Sequence, residues 1–162
     1  MDKTLPAELA VMFNPLGAGV RWAVHLGEVG LGDTLLVLGA GQRGLASVIA
    51  ARAAGAGTII ITGLEADTHK LELAKEFGAD HTIVVDGPDA EDPVERVREI
   101  TGGDMADVVL ELTPMAAEPV THALLAAKHG GRVVLAGLKG GAEVPLRTDL
   151  IINRALTVRG AY

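Results

Sequence analysis

Cysteine is absent from this chain of 162 residues, and with it go disulfides, thiolate metal cages and thiol nucleophiles. Aromatic residues are scarce at 2%, with one Trp, one Tyr and two Phe, so a core must be assembled from Val, Ile, Leu and Ala. That palette suits buried parallel strands covered by helices. Positive charge is in deficit: 14 Lys and Arg stand against 21 Asp and Glu, a net charge of −7. A nucleic-acid partner is therefore not expected. There is no apolar run of about eighteen residues and no basic-then-apolar leader, so neither a membrane span nor a secretory signal is expected. The expected compartment is the cytoplasm. No Gly-x-Ser-x-Gly elbow and no His-Glu-x-x-His helix occurs, which leaves hydrolase chemistry without an anchor. His25, His69, His81, His122 and His129 include no pair four residues apart, so no helical metal clamp is indicated.

Glycine, by contrast, is plentiful at 21 residues. The stretch Gly39-Ala40-Gly41-Gln42-Arg43-Gly44 follows the apolar run Thr34 to Leu38 and opens onto a helical pattern from Leu45 to Ala54. A strand, a glycine-rich turn and a helix start in that order make the dinucleotide fingerprint. Gly39 permits a tight turn, Gly41 lets the backbone approach a pyrophosphate, and Gly44 lets the helix pack closely on its strand. The phosphates would lie on free N–H groups of the helix N-terminus, where the macrodipole favours negative charge.

Strands and helices alternate along the rest of the chain. Thr58 to Thr62, Thr82 to Val85, Ala106 to Leu110, Arg132 to Ala136 and Leu156 to Gly160 read as further strands. Between them, Asp67 to Phe77, Pro93 to Ile100 and Met115 to Lys128 have helical spacing, the last closing on His129-Gly130. Ala18 to Leu26 also looks helical. The alternation predicts an α/β fold, a doubly wound six-stranded parallel sheet of the Rossmann type with helices on both faces. Residues 1–30 read as a lead-in and 31–162 as the nucleotide-binding domain. Glu111 reads as the last polar residue of its strand.

Several stretches together resemble the cofactor-binding domain of the medium-chain dehydrogenase/reductase superfamily, the zinc-type alcohol dehydrogenase relatives. They are Gly17-Ala-Gly-Val-Arg-Trp-Ala, Val29 to Gly41, Leu73-Ala-Lys-Glu-Phe-Gly-Ala-Asp, Ala106-Asp-Val-Val-Leu-Glu and Gly130-Gly-Arg-Val-Val-Leu-Ala-Gly. The resemblance implies an NAD(P)-dependent oxidoreductase moving hydride between a nicotinamide and an alcohol or carbonyl. It also implies a catalytic domain ahead of this region, holding most zinc ligands, the proton relay and much of the substrate pocket. The chain thus looks like an excised or truncated domain, with residues 1–30 leading in from that catalytic domain, and is not expected to catalyse alone. The family's third zinc ligand falls at Asn14, whose carboxamide is a weak ligand beside thiolate or carboxylate. Either the parent lacks catalytic zinc or it builds the site from other residues; Asn14 reads equally well as a helix cap. Zinc is not expected in this chain.

The resemblance also distributes the cofactor. Counting from Gly44 puts the ribose-reading position at the end of the second strand on Gly63; counting back from Gly78 puts it on Glu65. An acid there reads both ribose hydroxyls and repels a 2′-phosphate. A glycine, with Lys70 and Arg43 in reach, admits NADP. Lys70 matches a family lysine that lies along the adenosine ribose. NAD is the expectation, with NADP left open. Thr113, Ala136 and Gly137 fall on the carboxyl edge of the sheet, where the family places the nicotinamide ribose and carboxamide. Glu143 to Arg147 matches a short strand that in relatives extends the sheet across a two-fold axis, so a homodimer is expected. Two other readings stay open: a stand-alone dinucleotide-sensing module, and an S-adenosylmethionine methyltransferase, which shares the first glycine turn.

Overall fold

Thr34 followed by an unbroken apolar run of four residues forms β1 (Thr34–Leu38), and all but Thr34 are buried. Successive strand side chains point to opposite faces, and here both faces are covered. Leu35 and Val37 join Ile59, Ile61, Val108 and Leu110 in one core, whereas Leu36 and Leu38 join Ile60, Ile83, Val109 and Val133 in the other. A strand with one dry face and one wet face would alternate apolar with polar. This one is apolar throughout because it lies between two helical layers. Each fully buried Val, Leu or Ile contributes about 1.5–3 kcal/mol relative to exposure.

The computed structural model describes residues 4–162. The remaining strands are β2 (Thr58–Gly63), β3 (His81–Val84), β4 (Ala106–Glu111), β5 (Ala127–Leu135) and β6 (Thr157–Gly160). They form one six-stranded sheet in the order β3-β2-β1-β4-β5-β6. Every neighbouring pair is parallel. This is the doubly wound order, with its reversal between β1 and β4. The parallel β6 also sets aside the methyltransferase topology.

The helices are α1 (Ala7–Ala10), α2 (Phe13–Gly19), α3 (Gln42–Ala54), α4 (Thr68–Glu76), α5 (Pro93–Ile100), α6 (Glu118–Ala126) and α7 (Thr148–Asn153). The helix expected over 18–26 starts earlier, as α2, and continues as a π-helical stretch, Val20–Leu26. Trp22 and Ala23 of that stretch are buried in the same core as Leu35 and Val37. α2 lies so close to α3 that a Cβ on Gly19 would come within 2.5 Å of the Ala46 carbonyl carbon.

The helix expected from Met115 to Lys128 is shorter at both ends. It starts at Glu118 with Pro119 in its first turn, where a missing N–H costs nothing. A start at Met115 would put that proline inside the helix against a carbonyl four residues back. Met115 instead has φ 65. At the other end the chain turns into β5 at Ala127, which pairs with Ala106. The carbonyls of Leu125 and Ala127 accept from the Arg154 guanidinium at 2.7 and 3.2 Å. Arg154 thus closes α6, and the His129-Gly130 pair belongs to β5. α7 was not expected: β-branched Ile151 and Ile152 make a weak helix signal.

Polar side chains tie the opposite, amino edge of the sheet. Asp33 accepts from Arg132 at 2.8 Å, and Asp107 accepts from the Thr34 N–H at 2.8 Å and from Lys128. Burial works to raise the Asp107 carboxyl, but the hydrogen bonds from Lys128 and Thr34 and the charges of Lys128 and Arg132 outweigh it. The group is held below the ordinary carboxylate range. Glu143 to Arg147 is irregular and forms no strand within the chain.

Candidate functional site

The strand order reverses between β1 and β4, which stay paired as far as Leu38 and Glu111, and the glycine turn follows at their carboxyl ends. Each of its three glycines has a separate physical reason. Gly39 adopts φ +114, a conformation that L side chains rarely reach. Gly44 is the third residue of α3, and a Cβ there would lie 2.0 Å from the Gly39 carbonyl oxygen. Gly41 differs from both. Its φ of −72 and ψ of 177 suit any residue, and a Cβ would meet nothing within 4 Å. Neither fold nor backbone requires glycine at 41, so its use keeps open the space in front of α3. No side chain caps that helix N-terminus, and the first-turn N–H groups lack intrahelical partners by geometry. The cradle therefore fits an anionic, dinucleotide-type ligand.

Two cavities flank the turn, and Gly39 and Gly41 line both. The larger, about 690 Å³, runs over β2 and is lined by Gly63, Leu64, Asp67, Lys70, Asp86, Glu91 and Asp92 on one side and by Thr113 and Pro114 on the other. The smaller, about 410 Å³, is lined by Trp22, Gln42, Arg43, Gly44, Pro114, Ala136, Gly137 and Leu138. Gly39, Gly41, Gln42, Arg43, Gly44, Gly63, Lys70, Thr113, Ala136 and Gly137 thus all border this crevice of two cavities, which meet at Gly39, Gly41, Leu112 and Pro114.

Glu65 does not. It starts a 3-10 turn, Glu65–Asp67, its N–H donates to Asp86 at 2.6 Å, and its Oε2 lies 2.7 Å from where a Cβ on Gly87 would be. The acid that enters the crevice from this segment is Asp67, which accepts from Lys70 at 2.6 Å. Sequence reasoning passed over Asp67 because the segment is two residues longer than the family pattern. Arg43 is not brought to the Gly63 end. It stands 5.6 Å from the Trp22 ring centroid, and its guanidinium donates to Asn14 at 3.4 Å.

Asn14 is the second residue of α2 and caps nothing; the cap position is Met12. Among the described residues no group of three or more His, Asp or Glu side chains could hold a metal ion. Glu111 is completely buried and is not merely a polar strand end. No helix among the described residues is long and apolar enough to cross a membrane.

Fold, strand order and glycine geometry together define a doubly wound nucleotide-binding architecture of the dehydrogenase kind. Residues 44–162 match the family model described as zinc-binding dehydrogenase, and the chain belongs to that family. It is 43% identical over 160 residues to the probable alcohol dehydrogenase adh of Mycobacterium tuberculosis, covering 97% of this chain and 42% of that protein. The structure of an alcohol dehydrogenase zinc-binding domain protein from Burkholderia ambifaria superposes with a TM-score of 0.87 at 30% identity, over 99% of this chain and 42% of that one. A structure described as a putative zinc-binding dehydrogenase from Sinorhizobium meliloti, bound to NADP, gives 0.79 at 36% identity, over 91% and 42%. The chain therefore spans less than half the length of these relatives.

Proposed function

We propose that this chain is the nicotinamide-dinucleotide-binding part of an alcohol dehydrogenase-like oxidoreductase, and that its coenzyme is NAD. The observation that carries the reading is the division of labour among Gly39, Gly41 and Gly44: a turn, an open cradle and a close packing contact. The bound coenzyme would supply hydride transfer to or from an alcohol or carbonyl. What this chain does is hold and orient. The α3 N-terminus takes the pyrophosphate, the Gly63–Lys70 side takes the adenosine half, and the Thr113, Ala136 and Gly137 edge takes the nicotinamide half. Residues 1–30 lead in from a catalytic domain that carries the substrate pocket.

Coenzyme choice follows from charge. Asp67, Asp86, Glu91 and Asp92 line the adenosine side, and Lys70, the one lysine lining it among the described residues, already pairs with Asp67. A 2′-phosphate would bring about −2 charge into that setting and gain no free cation. Titration calorimetry with NADH and NADPH checks this. NADH is expected to bind about tenfold tighter or more, the equivalent of roughly 1.4 kcal/mol. Tighter NADPH binding would reverse the coenzyme choice, and no heat from either would remove the site.

We further propose a homodimer through Glu143 to Arg147. The segment has no strand partner among the described residues, and Leu146 is 43% and Ile152 72% exposed. Pairing with a second copy would satisfy its backbone and cover Leu146. Sedimentation is expected to show a dimer that Leu146→Asp converts to monomer, because a carboxylate would be buried near its own symmetry copy. A wild-type chain that sediments as a monomer would remove this interface.

A further inference from the structure

β4 ends on a carboxylate with no access to solvent, an uncommon place for Glu. Oε1 of Glu111 accepts from the Thr113 N–H at 2.9 Å, from the Thr113 hydroxyl, and from the Lys139 ammonium at 3.0 Å. Lys139 itself is 12% exposed and donates also to the Thr113 carbonyl at 2.5 Å. Thr113 is thus gripped at its N–H, hydroxyl and carbonyl by two side chains. Oε2 of Glu111 is buried without a hydrogen-bond partner among the described residues, so the pair is not arranged for maximal stability.

The gripped residue stands between two glycines of the crevice. A Cβ on Gly39 would come within 3.2 Å of Thr113 Cγ2, and one on Gly137 within 2.3 Å of the Thr113 carbonyl oxygen. The Gly137 N–H in turn donates to the Glu111 carbonyl at 3.0 Å. The β4 loop, the fingerprint turn and the β5 loop therefore meet at Thr113 with contact distances that leave little play. A buried ion pair is a poor source of stability, because desolvating both ions offsets their attraction and an apolar pair of similar volume serves as well. What it supplies is direction: charged groups at fixed distances define one geometry.

We propose that Glu111 and Lys139 are positioning residues for the nicotinamide half of the crevice, holding Thr113 in register with Gly39 and Gly137. This rests on the reading of the crevice given under Proposed function. They touch no coenzyme themselves; they act through Thr113 and the β5 loop. Thr113 also lines the larger cavity, but among the described residues none of the hydrogen bonds of Glu111 and Lys139 reaches Gly63 or Lys70 at its adenosine end.

The two halves separate experimentally with NADH and ADP-ribose, which lacks the nicotinamide. In the full chain, Glu111→Gln combined with Lys139→Met removes both charges at nearly constant volume. It is expected to weaken NADH about tenfold, as for loss of one charge-assisted hydrogen bond, while ADP-ribose stays within about twofold. Equal weakening of both ligands would mean a merely structural pair, and unchanged NADH affinity would mean no role; either overturns the proposal. Should the double variant not fold, Glu111→Gln alone keeps an acceptor for the Thr113 N–H and is expected to weaken NADH selectively. The same two contrary results count against it. A wild-type chain that binds neither ligand would instead overturn the crevice reading, and this role with it.

Discussion

Gly44→Ala is expected to lower the stability of the chain by about 3 kcal/mol, at the upper end of the usual cost of overpacking. The new methyl would lie 2.0 Å from the Gly39 carbonyl oxygen, well inside van der Waals contact. Neither partner can rotate away, because the clash is between α3 and the backbone of the turn that feeds it. Helix propensity acts in the other direction, since Ala in place of Gly in a helix gains about 1 kcal/mol. A net gain would follow if α3 could retreat from β1 at little cost. It cannot, because Ala46, Ser47 and Val48 on the same helix are buried, and Gly19 of α2 touches Ala46 from behind. The strain therefore outweighs the propensity. At roughly 2–4 °C per kcal/mol for a chain of this size, the midpoint of thermal unfolding should fall by about 10 °C. A midpoint equal to or above that of the wild type would show that α3 moves freely, and the close-packing role of Gly44 would be withdrawn.

Most of the fold was legible in the sequence because parallel strands leave a strong local trace. Thr34 to Leu38, Thr58 to Thr62 and Ala106 to Leu110 carry apolar side chains on both faces, with polar residues only toward their ends, and turns bound them. Each is a strand to within a residue or so in the structure. The α6–β5 junction was less legible because two signals competed there. Basic His129 followed by Gly130 looks like a helix stop, yet the helix had already ended three residues earlier under a guanidinium from Arg154. Residue 154 is distant in sequence, so no local pattern could announce it. α7 was hidden for a related reason: six residues with two adjacent isoleucines carry little helical signal of their own.

The candidate site divides along the same line. The phosphate cradle proposed here depends on glycine spacing, a local property: Gly39 makes its turn at φ +114, Gly44 packs against the Gly39 carbonyl, and Gly41 leaves open space in front of α3. The proposed ribose end depends on how the segment Leu64 to Asp67 folds after β2. There Glu65 turns toward Gly87 and Asp67 takes the place beside Lys70. Spacing alone could not distinguish the two acids. Glu111 was read as a strand-end polar residue because its partner Lys139 lies 28 residues further on. Only the parallel pairing of β4 with β5 brings that lysine underneath the carboxylate.

Gly41→Val should have the opposite effect to Gly44→Ala, although the two positions are three residues apart. Its backbone is extended, at φ −72 and ψ 177, and a Cβ meets nothing within 4 Å. The fold has room for valine. The cost is that of an unfavourable helix N-cap, at most about 1 kcal/mol. Binding is another matter. The isopropyl group would fill the space between the α3 N-terminus and the ligand, where a pyrophosphate must approach the backbone N–H groups closely. Several charge-assisted hydrogen bonds would be lost at once, each contributing about 1.5–3 kcal/mol. Affinity for NADH and for ADP-ribose should therefore both fall by about 100-fold or more, since both carry the pyrophosphate. That shared loss separates this variant from the Glu111 and Lys139 changes, which spare ADP-ribose. Calorimetry on the folded variant, with its unfolding midpoint measured alongside, decides the point. Undiminished affinity in a chain of near wild-type stability would mean that the phosphates do not lie against Gly41, and the assignment of the turn would fall.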